Sequence, residues 1–409
     1  AALYAKELHL ERSSLKNLEQ LKTFEHTSKT VSCGLCNNHC NLTVNTFDSN
    51  HKYISGNRCE KPLGIKENQA IPNMFAYKLD KIKSLKGVDG GLGKIGIPLG
   101  LNMFENIPFW YAFLTRLGFE VVLSDISSRA LYRSGQDTIP SDTVCYPAKL
   151  MHGHIKNLVD RGIKRVFYPC MPYNFDEQEG DNHYNCPVVA YYPELLEANM
   201  DDLKQVRFYN GYFGVHRPKD FDKKAYEYFK DEFHFPLKLV KQAAKEAYAV
   251  YYSWREDIKN EGKRAIAYAR EHHKRIVVLA GRPYHIDPEI NHGLDKMLSS
   301  FDLVVVTEDA VAHLGHVGKV RVLNQWTYHS RLYNAAKYIT TQPDMELIQI
   351  VSFGCGIDAI TTDEVRAILE EGGKLYTQLK IDEINNLSAI RIRIRSLLAA
   401  IRAKAAQKR

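Results

Sequence analysis

The chain lacks any apolar run approaching the roughly 18 residues that a membrane-spanning helix needs, which excludes a helical membrane protein. Its first residues, Ala1-Ala2-Leu3-Tyr4-Ala5-Lys6-Glu7, contain no apolar signal core. An initiator Met is also missing, which points to a fragment, a processed chain or an excised piece of a longer polypeptide. There is no collagen-like or low-complexity stretch. The 44% hydrophobic and 25% charged residues are ordinary globular values, so a disordered chain is excluded. Charge of one sign is scarce. Fifty-five Lys and Arg against 48 Asp and Glu leave +7, spread along 409 residues, which is no footprint for nucleic acid. A phosphate loop is wanting as well. Gly93-Lys94 has Val88 where the first glycine belongs, and Ile95 where Ser or Thr should follow.

At roughly 150 residues per domain, the length allows two or three domains, each with its own core. Residues 1–30 read as a polar lead-in. Residues 31–65 form a Cys-rich module short of apolar residues. From residue 94 strands and helices alternate through 216: strands at 95–99, 119–123, 165–168 and 187–191, helices at 109–117 and 148–161. Residues 217–273 form a helical connector, with Leu237, Val240, Ala244, Ala247, Tyr251, Trp254 and Ile258 on one face. A second alternation fills 274–409, with strands at 275–280, 303–306 and 347–351. A C-terminal helix there carries Leu387, Ile390, Ile394, Leu397 and Ile401 on one side. The fold class is α/β, with two Rossmann-like parallel-sheet domains on either side of the connector.

The eight cysteines carry the chemistry. In a long chain without a secretion signal, metal or redox roles outrank a disulfide framework. Cys33, Cys36, Cys40 and Cys59 cluster at one end of the chain. Four thiolates satisfy tetrahedral zinc or a [4Fe–4S] cube, and spacing alone does not choose between them. Cys145, Cys170, Cys186 and Cys355 are dispersed, and a lone cysteine is commonly just a small hydrophobe. Their placement argues otherwise. Cys145 precedes Tyr146-Pro147, a helix start, where the dipole favours an anion. Cys170 and Cys355 follow strands, and parallel sheets build sites beyond the carboxyl ends of strands. Cys186 precedes its expected strand and is the least secure of the four. The expectation is a cluster held between two domains.

Several motifs resemble proteins related to the 2-hydroxyglutaryl-CoA dehydratase activator. They are Ile95-Gly96-Ile97-Pro98, Leu117-Gly118-Phe119-Glu120-Val121-Val122, Cys145-Tyr146-Pro147-Ala148-Lys149 with His152-Gly153-His154, Phe167-Tyr168-Pro169-Cys170, and Gly281-Arg282-Pro283-Tyr284-His285. The segment from Cys33 to Ile54-Ser55-Gly56-Asn57-Arg58-Cys59 resembles part of the large multidomain members. The wider superfamily includes 2-hydroxyacyl-CoA dehydratases, benzoyl-CoA reductases and double-cubane cluster proteins. The resemblance implies two flavodoxin-like domains around an iron–sulfur cluster, [4Fe–4S] by the thiol count. It implies electrons from an ASKHA-type (actin-like) ATPase activase, so ATP enters only through a partner domain or chain. It further implies a dehydratase-like subunit or domain, an oligomer, and the cytoplasm of an anaerobe. For the second cysteine set it turns the metal toward iron.

Lys149 lies one turn beyond Cys145 and is a candidate to neutralise cluster charge. His285 and His292 follow the strand at 275–280 and are candidate proton donors. Two alternatives stand beside the electron-transfer reading. One is a scaffold with zinc in the N-terminal module, docking activase and dehydratase partners without turnover. The other is a dehydratase or reductase acting directly on a CoA ester.

Overall fold

The computed structural model describes residues 16–35, 39–47, 51–57, 61–64, 71–352, 354–383 and 387–407. Contacts divide it into two units, one closing at Asn57 and the other holding the rest. In the first, β1 (His26–Ser32), β2 (Asn41–Phe47) and β3 (Lys52–Ser55) form an antiparallel sheet in that order. Strands were not expected here, because the segment is poor in apolar residues. Ladder bonds and β-branched Thr30, Val31, Thr43 and Val44 build it with little core. Register pairs Ser32 with Asn41, so Cys33 donates its N–H to the Cys40 carbonyl at 2.8 Å.

The second unit begins with α1 (Met74–Lys83) and then enters its first lobe. In chain order this lobe holds β4 (Lys94–Ile97), α2 (Met103–Leu117), β5 (Glu120–Leu123), α3 (Arg129–Gly135), α4 (Tyr146–Asp160), β6 (Arg165–Phe167), α5 (Pro187–Asn199) and β7 (Arg207–Tyr209). The four strands are parallel in the order β5-β4-β6-β7. Helices α6 (Pro218–Phe233) and α7 (Leu237–Glu271) make the connector. The second lobe holds β8 (Ile276–Ala280), β9 (Val304–Val306), α8 (Thr327–Thr340), β10 (Met345–Ser352), α9 (Gly356–Glu371), β11 (Thr377–Ile381) and α10 (Leu387–Gln407). Its strands are parallel in the order β11-β10-β8-β9. Counted along the chain, each sheet has the spatial order second-first-third-fourth. The chain therefore folds as two Rossmann-like α/β lobes. β8 is buried at every position and β10 likewise, as parallel strands covered on both faces must be. No helix among the described residues is long and apolar enough to cross a membrane.

One strand assignment is corrected. Residues 187–191 open α5 rather than forming a strand. Val188 and Val189 favour strands, but Pro187 suits a first helical turn and Val189, Ala190, Tyr192, Pro193 and Leu196 are buried at helical spacing. The fourth strand of the lobe is β7, where Arg207-Phe208-Tyr209 is too short for its pattern to stand out. Helix α2 starts six residues before the expected point and carries Pro108 inside it.

The lobes are joined by buried polar contacts. Arg331 on α8, 1% exposed, ion-pairs with Glu105 on α2 and Glu177 from the loop after β6. Arg255 on α7 meets Glu177 at 2.9 Å. The Tyr184 N–H donates to the Gln325 carbonyl at 2.9 Å, and the Asp181 N–H to that of Asn324 at 2.7 Å.

Candidate functional site at three helix N-termini

Three of the four dispersed cysteines are helix N-caps. Cys145 precedes α4, Cys186 precedes α5 and Cys355 precedes α9. Each has extended or near-extended backbone and hands its carbonyl to the first turn. The Lys149 N–H donates to Cys145 at 3.2 Å, that of Ala190 to Cys186 at 2.8 Å, and that of Ala359 to Cys355 at 3.1 Å. No thiol closes a capping hydrogen bond. Yet Cys145 stands near enough to the Ala148 N–H, and Cys186 to those of Val188 and Val189, for each thiol to be partly eased toward its anion. Helix N-termini carry partial positive charge there.

The three thiols share one electrostatic neighbourhood. Burial pushes the Cys145 thiol up to about 11, and the neighbouring Cys186 and Cys355 add to the rise. Cys186 is raised first by burial and also feels Cys355. The opposing influence on both is Arg282. Its Nη1 lies 3.5 Å from Cys355 Sγ and 2.9 Å from Asp358 Oδ1. Arg282 is 6% exposed, and among the described residues its Nε has no hydrogen-bond partner. Asp358, one turn into α9, also accepts from the Ser352 N–H at 3.0 Å and lies 3.4 Å from His329 Nε2. Burial alone would raise the Asp358 carboxyl, but Arg282 and His329 hold it well below the usual carboxylate range. Behind the thiols stand buried Tyr168, which feels Cys170, Cys186 and Cys145, and buried Tyr284, which feels Cys145 and Cys186.

The strand ends explain the placement. Arg282 follows β8, the first strand of its sheet, and Cys355 follows β10, the third. Between them lies the switch point, where open α/β sheets bind ligands. The other lobe contributes Cys145 and Cys186 from the starts of its helices.

Other expected residues go elsewhere. Cys170 is buried after β6, near Tyr212, Glu194 and Glu197, and burial pushes its thiol up to about 11. Lys149 Nζ lies 3.6 Å from Glu383. His285 is buried, and its Nδ1 accepts the Arg282 N–H at 2.9 Å, which locks the turn. A Cβ at Gly281 would lie 2.1 Å from that Nδ1, so only glycine allows the close approach. His292 Nε2 is 2.8 Å from the Asp382 carbonyl. In the first unit Cys33 is buried and Cys40 half-buried, while Cys36 and Cys59 lie outside the described residues. Arg282 and Asp358 were not among the expected site residues. Arg282 was legible within its motif at a strand end, whereas Asp358 had no signal beyond its spacing of three from Cys355.

Among the described residues, no three His, Cys, Asp or Glu side chains are gathered around the position of a single metal ion. The thiolates of a cube bind different irons and stand farther apart than the ligands of one ion. Three half-buried thiols, three helix N-termini and a buried guanidinium with an unused Nε suit an anionic, thiolate-ligated cluster.

No curated protein matches the chain. Among solved structures, the C-terminal domain of glucosamine-fructose-6-phosphate aminotransferase from Francisella tularensis aligns at 11% identity and a TM-score of 0.19, covering 80% of this chain and 92% of that one. That likeness is too distant to say anything of the site. Residues 94–311, more than half of the chain, match the family model described as a CoA enzyme activase uncharacterised domain, DUF2229. The match spans Cys145, Cys170, Cys186 and Arg282 and stops short of Cys355. The chain belongs to this CoA enzyme activase-related family.

Proposed function

We propose that Cys145, Cys186 and Cys355 hold an iron–sulfur cluster between the two lobes, and that the chain is the iron–sulfur component of an ATP-dependent, low-potential electron-transfer system. In this reading an ASKHA-type activase delivers the electron, and a substrate or a dehydratase-like subunit receives it. The observation that carries the reading is that three cysteine-capped helix N-termini share one buried guanidinium, 3.5 Å from Cys355 Sγ and felt electrostatically by Cys145 and Cys186. The family's description as a CoA enzyme activase domain supports the setting.

A bound cube supplies a one-electron centre and, with three thiolates for four irons, one open coordination position of Lewis-acid character. The chain's own residues do the rest. Arg282 offsets the negative charge of the thiolates. Asp358 and His329 hold the guanidinium in place. Tyr168 and Tyr284 exclude water from the thiol side. Cys170 stays outside the ligand set, against Tyr212. Lys149, His285 and His292 act as packing and hydrogen-bonding groups rather than proton donors.

Anaerobic reconstitution with iron and sulfide tests the reading. It predicts about four irons and matching acid-labile sulfide at this site, with a paramagnetic signal on reduction. Zinc without iron would instead favour a scaffold with a structural N-terminal module.

A further inference from the structure

A second cavity, of about 250 Å³, lies where the chain leaves β6 and β7. None of Cys145, Cys186, Cys355 and Arg282 lines it, so it is distinct from the thiol site. Its wall is mainly apolar and aromatic, from Trp110, Met171, Pro172, Tyr173 and Phe213.

Two observations point to an occupant. The His216 ring lines the same cavity, lies tilted against Tyr173 with centroids 4.6 Å apart, and leaves Nδ1 without a partner among the described residues. Arg217 and Lys224 are the charged residues of the lining, and among the described residues neither has a carboxylate within ion-pair distance.

Lys224 and His216 meet over Gly214. It has φ +68°, and a Cβ there would lie 3.4 Å from Lys224 Nζ and 3.8 Å from His216 Cε1. The ammonium group and the imidazole therefore lean over the same glycine. Burial, helped by His183, Arg217 and Lys224, pushes His216 down to about 4, so its ring is neutral at pH 7. An anion at this mouth is met by Arg217 and Lys224, not by an imidazolium.

Size narrows the ligand. An apolar cavity of about 150 Å³ holds benzene, while drug-sized ligands occupy about 300–1,000 Å³. A cavity of about 250 Å³ takes one substituted ring and excludes a nucleotide or a whole coenzyme. We propose that this cavity binds a single-ring aromatic acid, with the ring among Trp110, Tyr173 and Phe213 and the anionic group at Arg217 and Lys224. The assignment does not rest on the cluster.

Calorimetric titration of the full chain with benzoate, toluene and acetate tests it. Arg217 and Lys224 are both exposed, so the double variant Arg217→Gln/Lys224→Gln is expected to melt as the wild type does. Benzoate should bind saturably, and the double variant should bind it about tenfold more weakly, as the loss of two solvent-exposed ion pairs implies. No saturable benzoate binding at millimolar concentration would overturn the proposal. So would unchanged affinity in the double variant, or toluene or acetate binding as tightly as benzoate.

Discussion

The two lobes share one strand order yet equip it differently. In the first, the position after the third strand holds Cys170, turned onto Tyr212. In the second, the same position leads to Cys355, turned onto Arg282. After the first strand the first lobe has apolar Leu99, whereas the second has Arg282. The buried polar groups differ in kind as well. Burial holds His152 at about 4 and His154 at about 3 in the first lobe, so both are neutral and bonded to hydroxyls: Thr138 and Tyr192 for His152, Ser124 and Ser127 for His154. The second lobe buries an ion pair, Arg282 with Asp358. One topology can therefore bury neutral, hydrogen-bonded groups in one lobe and a charged pair in the other. In the proposed cluster, the lobe with two thiols would rely on its helix dipoles, and the lobe with one would add a fixed cation.

The largest effect that would break this comparison is at the clamp between the lobes. Arg331→Ala leaves buried Glu105 and Glu177 without their shared cation and should destabilise the chain by about 3–5 kcal/mol in urea unfolding. Next comes the charged pair. Asp358→Ala strands Arg282 in the interior and should cost about 3 kcal/mol, with the loss confined to the second lobe in amide-exchange maps. A loss of protection spread evenly over both lobes would show that the two sets of buried groups are not separate.

The junction between the lobes sharpens the comparison through pH. Asp287 in the second lobe meets Ser127 of the first, and burial raises its carboxyl to about 7. An acid raised on folding stabilises the fold fully below its unfolded value of about 4, and that contribution is lost as pH rises to about 7. Asp287→Asn should flatten this part of the stability profile by up to about 1.4 kcal/mol per pH unit. Parallel profiles for wild type and variant between pH 4 and 7 would contradict it. The smallest effect is on the neutral groups. Tyr192→Phe removes the 3.0 Å bond to His152 Nε2 and should cost about 1–2 kcal/mol.

Much of the fold was legible because β8 is a continuous apolar run, β10 is dominated by Leu347, Ile348, Ile350 and Val351, and the C-terminal helix keeps a clean stripe from Leu387 to Ile401. Strands β7 and β11 were not, since Arg207-Phe208-Tyr209 and Thr377–Ile381 are short and polar and owe their state to pairing with β6 and β10. The error at 187–191 mattered most for the site. Reading Val188-Val189 as a strand made Cys186 the weakest candidate, whereas the helix start at Pro187 places it as an N-cap like Cys145. The thiol positions themselves were legible from Cys-x-Pro and strand-end spacing. Arg282's pairing with Asp358 was not, because 76 residues separate them and only the β8–β10 pairing brings them together.

The central claim is that one lobe gives two thiols and the other gives one to a shared centre, with Cys170 left out. Anaerobic iron and sulfide analysis of Cys145→Ser, Cys170→Ser, Cys186→Ser and Cys355→Ser tests it most directly. The account predicts that the Cys170 variant keeps the wild-type iron content while each of the other three loses it. A Cys170 variant that loses iron, or a Cys355 variant that keeps it, would contradict the account.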